Sequence, residues 1–179
     1  MSTIDLVLLG SLCQSPKSPY DLQKQIEIRH LSRWIKIGSF TAYKKVALYE
    51  KKGYVTGETK KAGNMPEKTI YTITPEGKNK FLELMGKYAK GETRIFLDFN
   101  AVIVNFSMLK EEEIFAYISQ IRNSIKQTKM QISQQFPREK EMSLFGQAIV
   151  KQQYMLLETL EKWEEDFEKE LQKEQEETK

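Results

Sequence analysis

Lysines and tyrosines are interleaved in one short stretch of the sequence, GSFTAYKKVALYEKKGYV, which runs from Gly38 to Val55. Lysine ammonium groups neutralise phosphates and release the counterions condensed on a nucleic acid, and hydroxyl groups hydrogen-bond to phosphate oxygens or base edges. The stretch therefore has the chemistry of a surface that binds a polyanion. A solvated lysine-rich helix face is the alternative interpretation of the same residues.

The positive charge of the chain is confined to its first half. Residues 1–90 contain 16 Lys and Arg against 8 Asp and Glu, a net charge of +8, whereas residues 91–179 contain 12 against 17, a net charge of −5. A nucleic acid is therefore expected to bind the first half.

Residue patterns that support catalysis are missing from the sequence. The single histidine, His30, and the single cysteine, Cys13, are accompanied by no glycine-rich phosphate loop, nucleophile elbow or metal-ligand spacing. The acidic run Glu111–Glu113 fits the first turn of a helix, where negative charge is favourable, better than an acid–base pair. We therefore expect no enzyme activity, no metal site and no cofactor.

The elements around the basic stretch make it the third of three short helices. Thr3 to about Gln14 has apolar residues at helical spacing and predicts a buried first helix. The sequence SPYD, Ser18–Asp21, fits a capping box with proline at the first helical position, which predicts that a second helix begins there. Its buried residues are expected to be Leu22 and Ile26.

The third helix is expected to end at Gly53, because glycine readily adopts the left-handed conformation at a helix end. Ala42, Val46 and Tyr49 recur at spacings of four and three, which predicts that they face the core. Leu48 would then lie near the far side. We interpret it as a core or domain-contact residue in a slightly rotated helix, in preference to a residue that touches a thymine methyl group.

Two segments rich in β-branched and aromatic residues follow, YVTGET and KTIYTIT, and the basic connector KKAGNMPEK joins them. They predict a β-hairpin with a long basic tip. Thr74 and Pro75 then predict the start of a fourth helix. Its apolar side is expected to consist of Phe81, Leu82, Leu84 and Met85.

Three helices, a hairpin with a basic tip and a fourth helix form the order of a winged helix-turn-helix. In this fold the third helix enters the DNA major groove and the hairpin contacts the adjoining backbone. We therefore predict a DNA-binding domain over residues 1–91. Its expected DNA contacts are Ser39, Thr41, Tyr43, Lys44, Lys45, Lys60, Lys61 and Lys68.

Residues 92–179 show helical patterns and no strand signal, which predicts an α-helical dimerisation domain and a mostly α (α+β) fold class for the chain. The apolar segment RIFLDFNAVIVNFSML is interpreted as a buried helix or an interface. Two later helices carry the spacing of a seam between packed helices. The first seam consists of Ile114, Ile118, Ile121, Ile125, Thr128 and Ile132. The second consists of Phe145, Ile149, Gln152, Leu156, Leu160, Trp163, Phe167 and Leu171.

The sequence shows no sign of membrane insertion or secretion. It has no run of about 18 apolar residues, and its start, MSTIDLVLLGSL, lacks a basic leader and a small-residue cleavage site. We therefore expect a cytoplasmic protein with no membrane partner.

Three motifs of the first half point to a known family. They are PYDL at Pro19–Leu22, a tyrosine ten residues before a glycine at Tyr43 and Gly53, and YTITPEG at Tyr71–Gly77. Together they resemble the PadR family of bacterial winged-helix transcriptional regulators, although Pro19 stands where glycine is usual. The second half is similar to the longer PadR subgroup, in which FG opens a last helix that contains a tryptophan. The corresponding residues are Phe145, Gly146 and Trp163.

The resemblance implies a homodimer held by C-terminal helices that binds a pseudo-palindromic double-stranded DNA operator. Such regulators usually repress, often until a small hydrophobic or phenolic effector binds. Independently, two copies of the third helix must lie roughly 34 Å apart to read successive major grooves, which supports a dimer. An effector pocket is a weaker hypothesis, because core packing also explains the aromatic residues. The candidate pocket residues are Trp34, Phe96, Phe99 and Trp163.

A winged-helix module that binds protein or RNA, without an operator, is the alternative function. Salt dependence distinguishes the two functions. A DNA regulator loses duplex affinity steeply as salt rises and shows sequence preference, whereas a protein-docking module shows neither property.

Overall fold

The structure is a computed structural model that describes residues 1–28, 31, 41–60, 67–134 and 142–178. The chain divides into two compact units, Met1–Arg94 and Ile95–Lys179.

The first unit is a winged helix-turn-helix. Its elements are α1 (Thr3–Gln14), α2 (Pro19–Ile28), α3 (Thr41–Lys51), β1 (Val55–Lys60), β2 (Lys68–Ile73) and α4 (Pro75–Ala89). Strands β1 and β2 are antiparallel, with Val55 opposite Ile73 and Lys60 opposite Lys68. The predicted fold class and the predicted hairpin are thereby confirmed.

A third short pairing extends the hairpin. Lys17 and Tyr71 exchange two backbone hydrogen bonds, at 3.1 Å from Lys17 N to Tyr71 O and at 2.9 Å from Tyr71 N to Lys17 O. This bridge joins the segment before α2 to the wing. A bridge of a single residue has no periodicity, and for that reason the sequence patterns did not reveal it.

The predicted helix starts are confirmed by their caps. Ser18 N donates to Asp21 Oδ2 at 3.3 Å, and Asp21 N donates to Ser18 Oγ at 3.2 Å, which is the capping box expected before α2. At the start of α4, Gly77 N donates to Thr74 Oγ1 at 3.1 Å. Pro75 lies in the first turn, where its missing N–H costs nothing.

The core of the first unit lies between α1, α2, α3 and α4. Ala42, Val46 and Tyr49 are completely buried in it, as the spacing predicted. The core consists of Ile4, Leu8, Leu9, Leu12, Leu22, Ile26, Ala42, Val46, Tyr49, Val55 and Leu84.

The predicted apolar side of α4 is wrong for two of its four residues. Leu84 is buried and Phe81 packs against the core, whereas Leu82 and Met85 are exposed. The stripe that meets the core recurs at spacings of four and three, and Leu82 and Met85 lie beside it. The stripe consists of Gly77, Phe81, Leu84 and Tyr88.

Gly53 and Gly86 are both exposed, but replacing them with alanine should change the free energy of unfolding in opposite directions. Gly53 ends α3 with a φ of 72°, a conformation that costs an L-residue about 1 to 2 kcal/mol. Gly86 lies inside α4, and a Cβ added there would meet nothing within 4 Å. We expect Gly53→Ala to lower the free energy of unfolding by about 1 to 2 kcal/mol. Gly86→Ala should raise it by up to about 1 kcal/mol.

The measurement is urea unfolding of both variants and the wild type, followed by far-ultraviolet circular dichroism. Shifts in the same direction for the two variants would contradict the backbone conformation assigned to Gly53.

The second unit is helical. It contains α5 (Asn100–Ile103), a 3-10 turn (Phe106–Met108), α6 (Glu111–Ser133) and α7 (Leu144–Thr178). Helices α6 and α7 pack together. The core residues are Phe106, Ile118, Ile121, Ile125 and Leu157.

The seam on α6 is confirmed except at Thr128. Ile118, Ile121 and Ile125 are buried, whereas Thr128 is exposed and its Oγ1 donates to Ser124 O at 2.8 Å. Threonine can satisfy its hydroxyl on the preceding turn of its own helix, so it needs no place in the seam.

The predicted seam on α7 is wrong in its first part. Phe145, Ile149, Leu156 and Trp163 are exposed, and Gln152 is exposed as well. The buried positions recur every seven residues and lie one residue later than predicted, at Val150, Leu157 and Glu164. An apolar pattern could not locate this face because Glu164, which is only 2% exposed, is charged. Leu160, Phe167 and Leu171 do pack against the core as expected.

Arg122 supplies the charge that Glu164 needs. Its Nε donates to the two Glu164 carboxylate oxygens at 2.9 and 3.1 Å, and its Nη2 donates to Glu164 Oε1 at 2.8 Å. Arg122 also pairs with Glu168, one turn further along α7. This bidentate contact between α6 and α7 allows a carboxylate to be buried in an otherwise apolar seam.

The apolar segment at residues 94–109 does not form a buried helix, which was one of the two interpretations, and the other interpretation, an interface, stays a prediction. It is helical only over Asn100–Ile103, and the 3-10 turn follows. Ile95, Phe96, Val104 and Met108 are exposed. The polar residues that interrupt the segment favour this break, since Asn105 Nδ2 donates to Ala101 O at 2.8 Å at the end of the short helix.

Candidate nucleic-acid interface

The face of α3 that points away from the core is basic. Lys44 and Lys51 are exposed there, and Lys52 is exposed just after the helix. Tyr43 is 45% exposed, and Thr41 is partly buried at the start of the helix. The face therefore offers ammonium and hydroxyl groups to a polyanion, as predicted from the composition of the stretch.

Leu48 also lies on this outer face. Its side chain is 39% exposed, and it does not belong to the core cluster. The interpretation of Leu48 as a core residue is therefore wrong. The inward stripe was correctly placed at Ala42, Val46 and Tyr49, and a residue two positions after Val46 must then turn away from the core.

A buried carboxylate on α1 holds α3 from its inner side. Asp5 is completely buried, and its Oδ1 accepts from Tyr49 Oη at 2.7 Å and from Lys45 Nζ at 2.8 Å. Its Oδ2 accepts from Ser2 N at 2.6 Å. Lys45, which was predicted to contact DNA, thus has its ammonium group paired with Asp5.

The environment of Asp5 keeps it ionised. Burial alone would raise the pKa of its carboxyl, but the hydrogen bonds from Lys45, Tyr49 and Ser2 outweigh burial and lower the pKa. Burial and the neighbouring Asp5 carboxylate raise the pKa of Tyr49, so that its hydroxyl stays protonated and donates. The pair therefore connects α1 to α3 through a charge-assisted hydrogen bond.

The flank of α3 that carries Glu50 is connected to the wing. Glu50 Oε1 accepts from Gly57 N on β1 at 3.1 Å. A Cβ on residue 57 would lie 2.6 Å from that oxygen, so glycine permits the close approach. Burial and the neighbouring Glu50 carboxylate raise the pKa of Tyr71 on β2, so the tyrosine hydroxyl stays neutral. Glu50 therefore sets the distance between α3 and the hairpin.

The wing places one described lysine beside α2. Lys68 Nζ lies 3.0 Å from Asp21 Oδ2, and both side chains are about half exposed. A surface pair of this kind is weak, and its lysine stays accessible to a phosphate. Asp21 therefore serves both as the cap of α2 and as the partner of the wing.

The structure places the described members of the predicted DNA contacts on α3 and on the two strands of the hairpin. Thr41, Tyr43, Lys44 and Lys45 lie on α3, and Lys68 lies at the start of β2. Lys60 is the last residue of β1 and is paired with Lys68 across the hairpin. Ser39 and Lys61 lie outside the described residues.

Two residues that support the interface were missed from the sequence, namely Asp5 and Glu50. Asp5 had a recognisable signal, because it is a single acidic residue within an apolar helix. Glu50 had none, since its partners on β1 and β2 are defined only by the folded hairpin.

Two of the four candidate pocket residues come together in the second unit. Phe99 stacks on Trp163 with ring centroids 5.6 Å apart, and Trp163 stacks on Phe167 at the same separation. The space between this stack and α6 is too small for a water molecule. Phe96 is 80% exposed, and Trp34 lies outside the described residues. Stacking inside the second unit therefore accounts for the contact between Phe99 and Trp163, while Trp163 stays 36% exposed. The effector pocket stays a prediction.

The structure also bears on metal binding and membrane insertion. Within the described part of the chain, no three His, Cys, Asp or Glu side chains are grouped closely enough to hold a metal ion. None of the described helices is long and apolar enough to cross a membrane.

Comparison with known proteins gives structural matches only. No protein-family model matches the sequence, and no curated protein matches it significantly. PadR from Bacillus subtilis in complex with operator DNA is 18% identical, with a TM-score of 0.77, and the match covers 92% of this chain and 96% of PadR. The same protein in complex with p-coumaric acid is matched at 16% identity over 92% and 95% of the two chains, also with a TM-score of 0.77.

Two further regulators show similar agreement. A PadR-like transcriptional regulator from Bacillus cereus is 19% identical with a TM-score of 0.66, over 93% of this chain and 94% of that protein. The virulence activator AphA of Vibrio cholerae is 13% identical with a TM-score of 0.72, over 95% and 98% of the two chains. The resemblance inferred from the sequence motifs is thus confirmed in three dimensions, and the chain has the fold of the PadR and PadR-like transcriptional regulators.

Proposed function

We propose that this chain is a member of the PadR family that acts in the cytoplasm as a sequence-specific, DNA-binding transcriptional regulator. The observation that carries the proposal is the exposed basic face of α3 beside the hairpin, in a unit with the winged helix-turn-helix fold. Lys44 and Lys51 on α3 and Lys68 on β2 are accessible to phosphates. The structure of Bacillus subtilis PadR with operator DNA supports the same partner for this chain.

The regulator is proposed to act as a homodimer through its second unit. Helix α7 extends over 35 residues, and an apolar stripe on it is exposed beside the seam with α6. The stripe consists of Phe145, Ile149, Leu156 and Trp163. A single chain leaves these side chains in water, whereas a second copy would bury them in a two-fold symmetric contact.

Binding to random duplexes provides the test of the proposed function. The full-length protein is incubated with random double-stranded DNA, the bound fraction is amplified over several rounds, and affinity for the selected duplex is measured at several salt concentrations. We expect a pseudo-palindromic site and a steep decrease in affinity with salt. Salt-insensitive binding with no enrichment would instead support the protein- or RNA-binding module.

The regulator is further proposed to repress its target until a small hydrophobic or phenolic compound binds. The complex of Bacillus subtilis PadR with p-coumaric acid supports this class of effector. Such a compound must bind the DNA-competent and DNA-incompetent dimers with unequal affinity. We expect p-coumaric acid or a related phenolic compound to change tryptophan fluorescence and to lower operator affinity together. A panel of phenolic compounds that changes neither quantity would contradict effector release.

A further inference from the structure

The side of α3 that carries Leu48 is otherwise polar. Successive residues of a helix are rotated by about 100°, so Leu48 shares one side with Lys44, one turn before it, and with Lys51 and Lys52, one turn after it. Thr41, the first residue of α3, lies on the same side. Within α3, Leu48 is the single exposed leucine, isoleucine or valine side chain on the lysine-bearing side of the helix. The smaller Ala47 is also exposed and lies between Tyr43 and Lys51, one turn from each.

This position determines what Leu48 meets when the lysines bind phosphates. Phosphates attracted by Lys44 and Lys51 bring the duplex against the side of the helix that Leu48 occupies. The leucine is 39% exposed in the free chain, and its outer surface would lose water on contact with the major groove. The apolar group that base pairs present in the major groove is the C5-methyl group of thymine.

We propose that Leu48 is a specificity-determining residue that reads a thymine methyl group in the major groove. The inference rests on the proposed function, because it requires α3 to enter the groove. Leu48 contributes no hydrogen bond, so it distinguishes thymine from cytosine or uracil by apolar contact alone. The lysines around it contact the DNA phosphates, which are the same in every sequence.

Replacing thymine with deoxyuridine isolates this contact, because the substitution removes the methyl group and leaves base pairing intact. Each thymine of the selected operator is replaced in turn, and affinity is measured for the wild type, for Leu48→Ala and for Lys44→Ala. Loss of one buried methyl contact corresponds to a roughly fourfold weakening. We expect this weakening for the wild type at one thymine of each half-site.

Leu48→Ala should bind thymine and uracil at that position with nearly equal affinity. It preserves the helix, because alanine has a higher helix propensity than leucine and the site is exposed. Lys44→Ala is the matched control on the same side of α3. It should weaken binding to all duplexes alike and reduce the salt slope by about one, while it keeps the fourfold preference for the methylated base.

Two binding results would overturn the role of Leu48. One is a wild type that is indifferent to every deoxyuridine replacement, and the other is a Leu48→Ala variant that keeps the full preference for thymine. A change in oligomeric state of Leu48→Ala in sedimentation would also overturn it, since the leucine would then belong to a contact between copies. A wild type that selects no duplex at all would refute the proposed function itself. Failure of the Leu48 role and failure of the proposed function therefore give different results.

Discussion

Leu156→Asp should convert the protein into a monomer and weaken its binding to a palindromic operator by about 10²- to 10⁴-fold, the usual contribution of a second linked binding event. Leu156 is 39% exposed in the middle of the apolar stripe on α7. An aspartate there would place a carboxylate from each copy in the apolar contact of the proposed dimer, where it would lose water. The two α3 helices would then bind their half-sites independently.

The opposite flank of α7 offers the control. Lys162 is exposed on the side of the seam that carries charged residues, among them Lys151 and Glu165. Lys162→Asp changes the charge of the same helix without touching the apolar stripe, and we expect it to remain dimeric. The measurements are sedimentation equilibrium and operator affinity at constant salt. A Leu156→Asp protein that stays dimeric and retains its operator affinity would rule out the stripe as the dimer interface.

Asp5→Asn should lower the free energy of unfolding by about 2 to 3 kcal/mol at pH 7, because it leaves Lys45 without its anionic partner and weakens the bond from Tyr49. This decrease in unfolding free energy is smaller than for a fully buried ion pair, because the Lys45 side chain is 26% exposed and water can reach it. The control is Asp98→Asn, an exposed carboxylate, whose effect should stay within about 0.5 kcal/mol.

The effect of Asp5→Asn on the free energy of unfolding should depend on pH in a direction that the pKa of Asp5 determines. The pKa of Asp5 is lower in the folded protein than its ordinary value of 3.8. Its stabilising contribution is therefore complete above that ordinary value, and it is lost as pH falls through the folded pKa. The difference in unfolding free energy between wild type and Asp5→Asn should be largest near neutral pH and should shrink in acid. Urea unfolding at a series of pH values measures it, and a difference that grew in acid would contradict the assigned pKa.

Most local structure of the first unit could be predicted from short patterns. The capping box at Ser18–Asp21, the proline and threonine before α4 and the glycine after α3 each act within a single turn of chain. The inward stripe at Ala42, Val46 and Tyr49 needed only the helical period. Such signals are short-range, and for this reason the predicted bounds of α1 and the start of α2 agree with the structure.

The second unit shows where apolar patterns mislead. The stripe at Ile149 and Leu156 has the spacing of a seam, yet the seam of the chain lies one residue later, where Glu164 is buried by its contact with Arg122. Apolar spacing identifies a face that avoids water, but it does not say whether that face meets the same chain or another molecule. The apolar segment at residues 94–109 leaves the same choice open, and the structure excludes only the buried helix.

The amino-acid sequence alone was enough to establish the winged helix-turn-helix order, the basic character of the first half and the helical character of the second, because propensity, capping and charge are properties of neighbouring residues. The folded chain was needed to show that Lys45 pairs with Asp5, 40 residues away, that Glu50 holds the wing, and that Leu48 faces outwards. These features depend on contacts between distant segments. Their energies exist only once the chain has brought those segments together.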